Sequence, residues 1–361
     1  MNATSGQTIL SCRHLWKVYA QQQAPYFLHE VDKTDAAALS TRMRDDGAIP
    51  AAVDVSFDLH AGEIFVIMGL SGSGKSTVVR CLSRLIEPTH GEILLEDEDL
   101  LKKTNKELID IRRHKIGMVF QNFGLMPHLS VFDNIAFPLS LQGVPKSEQI
   151  ERVRRVIELV GLEGRETSYP RQLSGGQQQR VGIARSLAVE PELWLLDEPF
   201  SALDPLIRRQ MQDEFLRIQK ALKKSIVFIT HDFLEALKIA DRMMIMRDGM
   251  VIQVGTPAEL IVNPADDYVA EFTNDVPLVR VLTAMDVLDP EQPATSAMPV
   301  RDGRSSVEDL LPLLAAHKEG VAVTRAGESI GAVTATSVIA ALANQGNAQP
   351  AGVTAVNESV Q

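Results

Sequence analysis

The spacing of apolar positions changes several times along the first 274 residues. From Val53 to Leu59 apolar and polar residues alternate, which predicts a strand with one buried face. Apolar runs from Glu63 to Met68, from Leu193 to Leu196 and from Ile226 to Ile229 predict buried strands. Segments with helical periodicity, such as Ile150 to Val160, separate these runs. This alternation predicts an α/β domain around a mainly parallel sheet.

The same patterns predict further elements in this region. The stretch from Ala20 to Pro50 is polar and reads as an insert, with a short helix from Asp32 to Asp46. The remaining predicted elements are a first strand at Ile9–Tyr19, a helix from Lys75 to about Ile86, mostly helical structure from Leu125 to Pro170, and a hairpin of Met243–Met246 and Met250–Val254 around an Arg-Asp-Gly turn.

The C-terminal part of the chain has a different organisation, and we place the domain boundary near Asn274. The pattern from Val300 to Leu342 predicts strand, helix, strand, strand and helix in that order. The last dozen residues have a composition typical of disorder. The sequence therefore predicts a large domain at 1–274 and a small α+β domain with a disordered tail at 275–361.

Composition narrows the class of protein. The chain has a net charge of −11, which argues against broad nucleic-acid binding because that needs a basic face. Two cysteines are too few for a disulfide framework and favour a reduced, cytosolic setting. No signal peptide and no apolar run long enough to span a bilayer are visible, so other chains would have to cross any membrane that it serves.

A glycine-rich loop follows the buried strand that ends at Met68. The segment from Gly69 to Ser76 fits G-x-x-x-x-G-K-[ST] and is followed by a predicted helix. In such a loop backbone N–H groups surround the phosphates of a nucleotide. Lys75 neutralises their charge, and the Ser76 hydroxyl binds Mg²⁺. Because the loop lies between a predicted strand and a predicted helix, a functional phosphate loop is a better interpretation than a chance glycine-rich turn.

Three other strand ends carry candidate catalytic residues. Asp197 and Glu198 end an apolar run, and bound Mg²⁺ would offset the cost of burying Asp197, leaving Glu198 to polarise the attacking water. His231 ends the next apolar strand, where a γ-phosphate would lie within reach. Gln121 follows the run from Ile116 and could touch Mg²⁺ or water. In isolation Asp197, Glu198 and Gln121 would be read as solvated residues, whereas His231 would be as well explained by a structural as by a catalytic role.

A second phosphate-binding signal lies at Leu173–Arg180, with the sequence LSGGQQQR. Ser174 can cap the helix that follows. Gly175 and Gly176 allow backbone N–H groups to approach an anion closely. Since the chain already has one phosphate loop, this segment needs a separate explanation.

These motifs, in this order, resemble the ATP-binding subunits of ABC transporters over about Ile9–Asn274. The resemblance implies a P-loop ABC-ATPase domain with a mixed-sheet core, an antiparallel β subdomain and a helical subdomain at about 122–180. It implies ATP and Mg²⁺ as ligands, Glu198 as catalytic base, His231 as switch histidine, Gln121 as the Q-loop residue and Asp204 in the D-loop. The nucleotide-binding residues that it implies are Tyr19, Gly69, Ser71, Gly72, Ser73, Gly74, Lys75, Ser76, Thr77, Ser174, Gly175, Gly176, Gln177 and Asp204, with Ser76, Gln121 and Asp197 at the metal. Trp16 is an alternative to Tyr19 as the adenine-stacking aromatic.

The resemblance also explains the second phosphate-binding signal. Subunits of this family pair head to tail, so Ser174 and Gly176 would act on ATP bound to the partner's P-loop. The helical segment after Gln121 would dock on a membrane permease through Phe123–His128, whose alternative interpretation is a buried helix cluster. A periplasmic or extracellular binding protein would deliver the solute. The expected location is the cytoplasmic face of the inner membrane.

A closer resemblance concerns the glycine betaine/proline (quaternary amine) uptake ATPases. It rests on the 20–50 insert, the string from Val66 to Thr77, the run from Asp204 to Arg208 and a tail similar to a CBS module. That subfamily usually carries two CBS repeats, whereas only one clear unit, Val300–Leu342, is visible here. A structural dimerisation appendage is an alternative to a regulatory tail.

The function implied is ATP hydrolysis that drives import of glycine betaine, proline betaine or a choline-like solute. The alternatives are import of an amino acid such as histidine or proline, a soluble ABC ATPase that acts on ribosomes or DNA, and a non-enzymatic nucleotide-binding module. The intact Lys75, Glu198 and His231 argue against the last of these.

Overall fold

The computed structural model describes residues 6–20, 35–121, 124–273, 276, 278–289, 291–325 and 327–345. The chain divides into two compact units: the first comprises the chain up to Leu260 with Pro264–Val269, and the second comprises Ile261–Asn263 and the chain from Ala270. The predicted boundary residue Asn274, the first half of the predicted insert and the last dozen residues lie outside the described part.

The first unit contains two sheets. A four-stranded antiparallel sheet has the order β2-β1-β4-β5, and a six-stranded sheet has the order β10-β9-β3-β8-β7-β6. The strands are β1 Thr8–Tyr19, β2 Ile49–His60, β3 Ile64–Met68, β4 His90–Leu95, β5 Glu98–Asp99, β6 Ile116–Val119, β7 Leu193–Asp197, β8 Ser225–Thr230, β9 Arg242–Arg247 and β10 Met250–Gly255.

The six-stranded sheet is parallel except for β10, which pairs antiparallel with β9. Every residue of β3, β7 and β8 is buried, so their continuous apolar runs reflect burial on both faces. The Phe57 and Phe65 rings stack at 4.8 Å between centroids and join the cores of the two sheets. Because the carboxyl ends of parallel strands meet at one edge, the residues after β3, β6, β7 and β8 come together there.

The described chain up to Thr273 also contains helices. They are α1 Ala36–Asp45, α2 Lys75–Leu82, α3 Asn105–His114, α4 Val131–Leu141, α5 Lys146–Leu159, α6 Gly175–Leu187, α7 Pro205–Leu222, α8 Phe233–Ile239, α9 Pro257–Val262 and α10 Asp267–Thr273. No helix in the described ranges is long and apolar enough to cross a bilayer.

Helix α2 ends earlier than the sequence predicted. The prediction extended it to about Ile86, but its last residue is Leu82. The Ser83 hydroxyl donates to the Val79 and Arg80 carbonyl oxygens at 3.3 and 3.2 Å, and Arg84 adopts a φ of 53°. These contacts occupy carbonyls of the last turn and turn the chain into the left-handed region, so the apolar periodicity beyond Leu82 belongs to a loop.

The second unit has the element order that the sequence predicted. Its strands form a sheet of order β11-β12-β13 with β11 and β12 parallel, and its helices pack on a small apolar core. The bounds are β11 Val300–Asp302, α11 Val307–Ala316, β12 Val321–Arg325, β13 Glu328–Val333 and α12 Ala335–Gln345.

Candidate active site

The P-loop joins β3 to α2, and its three glycines have positive φ. A Cβ on Gly69 would lie 2.2 Å from the Met246 carbonyl oxygen, and one on Gly74 would lie 2.1 Å from the Ala51 carbonyl oxygen. A Cβ on Gly72, by contrast, would meet no atom within 4 Å. Packing against neighbouring backbone therefore requires Gly69 and Gly74, while Gly72 borders open space that a ligand can use.

Lys75, the first residue of α2, is 4% exposed. Its Nζ donates to the carbonyl oxygens of Gly69 and Leu70 at 2.7 and 2.9 Å, so the ammonium lies within the loop. Burial lowers the Lys75 pKa, an effect opposed by Glu198 and Asp197. A bound triphosphate would place negative charge beside this partly desolvated ammonium, whose hydrogen-bond acceptors in the loop are neutral carbonyls.

Ser76 and Asp197 meet beneath the loop. The Ser76 Oγ donates to Asp197 Oδ1 at 2.8 Å, and Arg80 Nη2 lies 3.8 Å from Asp197 Oδ2. Burial raises the Asp197 pKa, and the Ser76 hydrogen bond and the Arg80 charge oppose that shift. A hydroxyl and a carboxylate side by side are hard oxygen donors, which suit Mg²⁺.

The described residues contain no group of three or more His, Cys, Asp or Glu side chains that could hold a metal ion. The Ser76 hydroxyl and the Asp197 carboxylate alone would leave most of a cation's coordination shell to water or phosphate oxygens. This fits Mg²⁺, which usually keeps waters and substrate phosphates in its coordination shell.

Glu198 receives contacts from the two strand ends on either side of its own. Gln121 Nε2 donates to Glu198 Oε2 at 3.3 Å, and His231 Nδ1 lies 3.1 Å from the same oxygen. Gln121 follows β6 and His231 follows β8, and β7 lies between these strands. The Glu198 side chain is 15% exposed and His231 55%, so the carboxylate is shielded while solvent reaches the imidazole.

The backbone of Glu198 is itself constrained. Its φ is 46°, which is uncommon for a residue with a side chain. The Glu198 N–H donates to the Ile229 carbonyl at 3.1 Å, and the Ser201 hydroxyl donates to the Glu198 carbonyl at 3.0 Å. Neighbouring segments thus hold the left-handed conformation, and such strain is found at functional sites.

Arg208 is a contributor that the sequence prediction did not assign to the site. Its Nε donates to the Phe200 carbonyl at 3.2 Å and its Nη2 to the Leu203 carbonyl at 3.1 Å, while Nη1 lies 3.7 Å from Asp232 Oδ2. Arg208 therefore links the segment 200–203, which follows Glu198, to Asp232, which follows His231. In the sequence Arg208 is visible only as an arginine one turn into α7. Its acceptors could not be found there, because they are main-chain oxygens.

The signature segment begins α6. Ser174 and Gln177 form a reciprocal capping box: Ser174 Oγ accepts from the Gln177 N–H at 3.3 Å, and Gln177 Oε1 accepts from the Ser174 N–H at 3.0 Å. A Cβ on Gly176 would lie 2.7 Å from Ile207 Cγ2, and one on Gly175 would lie 3.5 Å from Leu203. The hydrogen bonds described for Ser174 stay within its own helix start and do not include the P-loop.

The remaining predicted nucleotide residues have varied surroundings. Ser71 is exposed, whereas Thr77 is half-buried and Ser73 is buried. Asp204 caps α7, because its Oδ1 accepts from the N–H groups of Leu206 and Ile207 at 3.1 Å each. In this conformation Asp204 acts as a helix cap.

The two candidate aromatics differ in exposure. Trp16 is completely buried in a cluster with Leu39, Met43 and Val53, so its ring faces are covered. Tyr19 is 42% exposed, and Lys17 Nζ lies 4.8 Å from its ring centroid. Of the two, only Tyr19 presents a surface on which a base can stack.

The segment predicted to dock on a permease is partly described, since Phe123 lies outside the described residues. Leu125 and Met126 are half-buried, while Pro127 and His128 are exposed. The completely buried Asn134 shapes this loop. Its Nδ2 donates to the carbonyls of Met126, Leu129 and Ser130, and its Oδ1 accepts from the Met126 N–H.

Comparisons with known proteins agree with this geometry. The profile of the family described as ABC transporter matches residues 52–201. The trimethylamine N-oxide transport system ATP-binding protein TmoW of Pelagibacter ubique is 48% identical over 334 residues, which cover 92% of this chain and 96% of that protein. The glycine betaine/proline betaine transport system ATP-binding protein ProV of Escherichia coli is 53% identical over 234 residues, which cover 65% of this chain and 58% of that protein. A solved dimeric ATP-binding cassette in a post-hydrolysis state, bound to ADP and Pi, superposes with a TM-score of 0.57 at 30% identity and covers 69% of this chain and 98% of that one.

Proposed function

This chain belongs to the ABC transporter ATP-binding subunits, as its motifs predicted, and on that premise we propose that it hydrolyses ATP to drive import of a small methylated amine. The observation that carries the proposal is the convergence of Asp197, Glu198, Gln121 and His231 at one sheet edge beside the P-loop. These residues supply what phosphoryl transfer to water needs, namely charge stabilisation and an oriented nucleophile.

In the proposed reaction the P-loop N–H groups and the Lys75 ammonium bind the β- and γ-phosphates. Mg²⁺, held by Ser76 and Asp197 with Gln121 near, would neutralise negative charge on the phosphate oxygens. The Glu198 carboxylate accepts the proton of the attacking water. Gln121 and His231 would orient that carboxylate through Oε2, and we propose that the exposed His231 contacts the transferred phosphate.

We propose that two copies of the chain pair head to tail, so that Ser174 and Gly176 of one copy bind the ATP held by its partner. Ser174 and Gly175 at the start of α6 are exposed, so a partner's phosphate could reach this helix start, and the solved relative named above is dimeric. Closure on ATP and opening after hydrolysis would move a permease in the membrane, and we propose that the chain lies on the cytoplasmic face of that membrane. The loop held by Asn134 is our candidate permease contact.

The solute is inferred from the relatives. One serves trimethylamine N-oxide transport and the other glycine betaine and proline betaine transport, and all three compounds carry a methylated nitrogen with a positive charge. We therefore propose a small solute with a methylated, positively charged nitrogen and no net charge, with trimethylamine N-oxide first because that relative matches nearly the whole chain. Uptake of labelled trimethylamine N-oxide, glycine betaine and proline by cells that contain the whole transporter would rank these solutes.

The second unit has the strand–helix–strand–strand–helix order of a CBS-like module, and we propose that it regulates the ATPase. Truncation after residue 274 should then preserve basal ATP turnover and alter its response to ionic strength or nucleotides. Loss of basal turnover would instead assign the unit a structural role.

The catalytic proposal is tested by steady-state ATP turnover of the transporter with Glu198→Gln. The substitution keeps size and the backbone contacts but removes the proton acceptor, so we expect turnover to fall at least about 100-fold, as for loss of a general base. ATP binding should persist. Glu190→Gln is the matched control, because Glu190 also has a positive φ, 53°, and its side chain is 58% exposed. Equal turnover in both variants would refute the assignment.

A further inference from the structure

Helix α1 belongs to the polar insert and packs on β1 and β2 of the four-stranded sheet. Its Leu39 and Met43 are completely or almost completely buried against Trp16 and Val53, and Met250 of β10 packs on the same cluster. Nothing in the proposed mechanism uses this helix. Its contacts nevertheless lead to the P-loop by a short path through main-chain atoms.

The first step of that path joins α1 to the β9–β10 hairpin. Arg44, in the last turn of α1, donates from Nη2 to the Asp248 carbonyl oxygen at 2.7 Å. Asp248 and Gly249 form the two-residue turn of the hairpin, with φ values of 53° and 84°. Positive φ at both positions is the geometry of a tight two-residue hairpin turn, so the backbone of these two residues has little conformational freedom.

The second step joins this turn to the P-loop. The Gly249 N–H donates to the Ser73 carbonyl at 3.1 Å, and the Gly249 carbonyl accepts from the Val53 N–H at 2.9 Å. Gly74 packs beside Gly249, since a Cβ on Gly74 would lie 3.4 Å from the Gly249 Cα. The turn is therefore wedged between β2 and the P-loop residues that precede Lys75.

We propose that α1 is a positioning element for the P-loop: Arg44 and the Trp16 cluster hold the Asp248–Gly249 turn, and the turn fixes the Ser73–Gly74 backbone in its phosphate-binding conformation. Arg44 is thus a positioning residue that sets ATP affinity without touching ATP. The inference rests on the proposed function, because it requires the P-loop to bind ATP.

The test compares Arg44→Ala, Arg44→Lys and Asp248→Asn in the otherwise intact chain, with a fluorescent ATP analogue as probe. We expect Arg44→Ala to raise the Kd by about fivefold, the loss that corresponds to one hydrogen bond. The kcat at saturating ATP and the midpoint of thermal unfolding should remain close to wild type, since Arg44 is exposed. Arg44→Lys should restore much of the affinity, because an ammonium can also donate to a carbonyl.

Asp248→Asn is the matched control. Arg44 bonds the main-chain oxygen, and asparagine tolerates the left-handed conformation, so this variant should bind the analogue like wild type. An unchanged Kd in Arg44→Ala would overturn the inference, and so would a Kd that rises only together with thermal destabilisation. A wild-type chain that does not bind the analogue, or a Lys75→Ala variant that binds it normally, would instead refute the nucleotide site itself.

Discussion

The P-loop sequence predicts a nucleotide site, but the structure adds that Gly74 is required by folding as well as by ligand binding. Its φ is 99°, and a Cβ at this position would lie 2.1 Å from the Ala51 carbonyl oxygen of β2. Gly74→Ala therefore introduces two separate penalties. One is backbone strain, and the other is a clash with main-chain atoms that cannot rotate away.

The two penalties can be estimated separately. An L-residue in the left-handed region costs about 1–2 kcal/mol, partly offset by the lower entropy of the unfolded chain with alanine. Forcing apart a packed contact costs about 1–3 kcal/mol more. We expect Gly74→Ala to lower the free energy of unfolding by about 2–4 kcal/mol. Gly143→Ala should cost about 1 kcal/mol, because Gly143 has a φ of 76° but no atom within 4 Å of the position of its Cβ.

Equilibrium urea unfolding of the two variants and the wild type measures this difference. The comparison isolates the steric contact, since both variants lose a glycine with positive φ. If Gly74→Ala destabilises the protein no more than Gly143→Ala does, the packing of the P-loop on β2 is not tight and the reasoning fails. Nucleotide binding by Gly74→Ala is a separate measurement and does not enter the comparison.

Three further outcomes are expected. Hybrid dimers of a Lys75→Ala subunit and a Ser174→Arg subunit should trap one ATP per dimer while neither parent traps any; equal trapping in hybrids and parents would contradict the head-to-tail arrangement. Burial raises the pKa of Glu235, so the charged carboxylate destabilises the folded state. The wild type should therefore lose stability relative to Glu235→Gln as the pH rises from 5 to 8, by about 1.4 kcal/mol for each unit by which the folded-state pKa exceeds the unfolded-state pKa. Parallel plots of unfolding free energy against pH for the two proteins would refute this. Ser40→Ala should raise the free energy of unfolding by about 1 kcal/mol in urea denaturation, because the buried Ser40 hydroxyl has no hydrogen-bond partner within the described residues; a loss of stability would show that this hydroxyl is satisfied.

Much of the fold and the nucleotide motifs could be predicted from sequence, because they depend on local patterns. Strands such as β3 and β8 are continuous apolar runs, and a P-loop is contiguous in the chain. The end of α2 could not be predicted, since the Ser83 side chain and the left-handed Arg84 decide it. The choice between Trp16 and Tyr19 also required the fold, because α1, which covers Trp16, is distant in sequence.

The contacts made by Arg208 and Arg44 show a different limit. Both side chains donate to main-chain carbonyls. Every residue has a main-chain carbonyl, so no residue type in the sequence marks the acceptor. Sequence patterns therefore locate the residues that touch a nucleotide more readily than the residues that hold those residues in place.

The arrangement of Glu198 has a consequence for timing. Its carboxylate is on the middle strand of three, and each neighbouring strand end supplies one of the side chains that contact it. Under the proposed mechanism, hydrolysis therefore requires all three strand ends to be in position at the same time. Gln121 precedes the segment that leads to α4, so under the proposed mechanism we expect a shift of Gln121 away from Glu198 to slow hydrolysis while ATP stays bound. We therefore expect ATP to remain bound without hydrolysis until Gln121 again contacts Glu198.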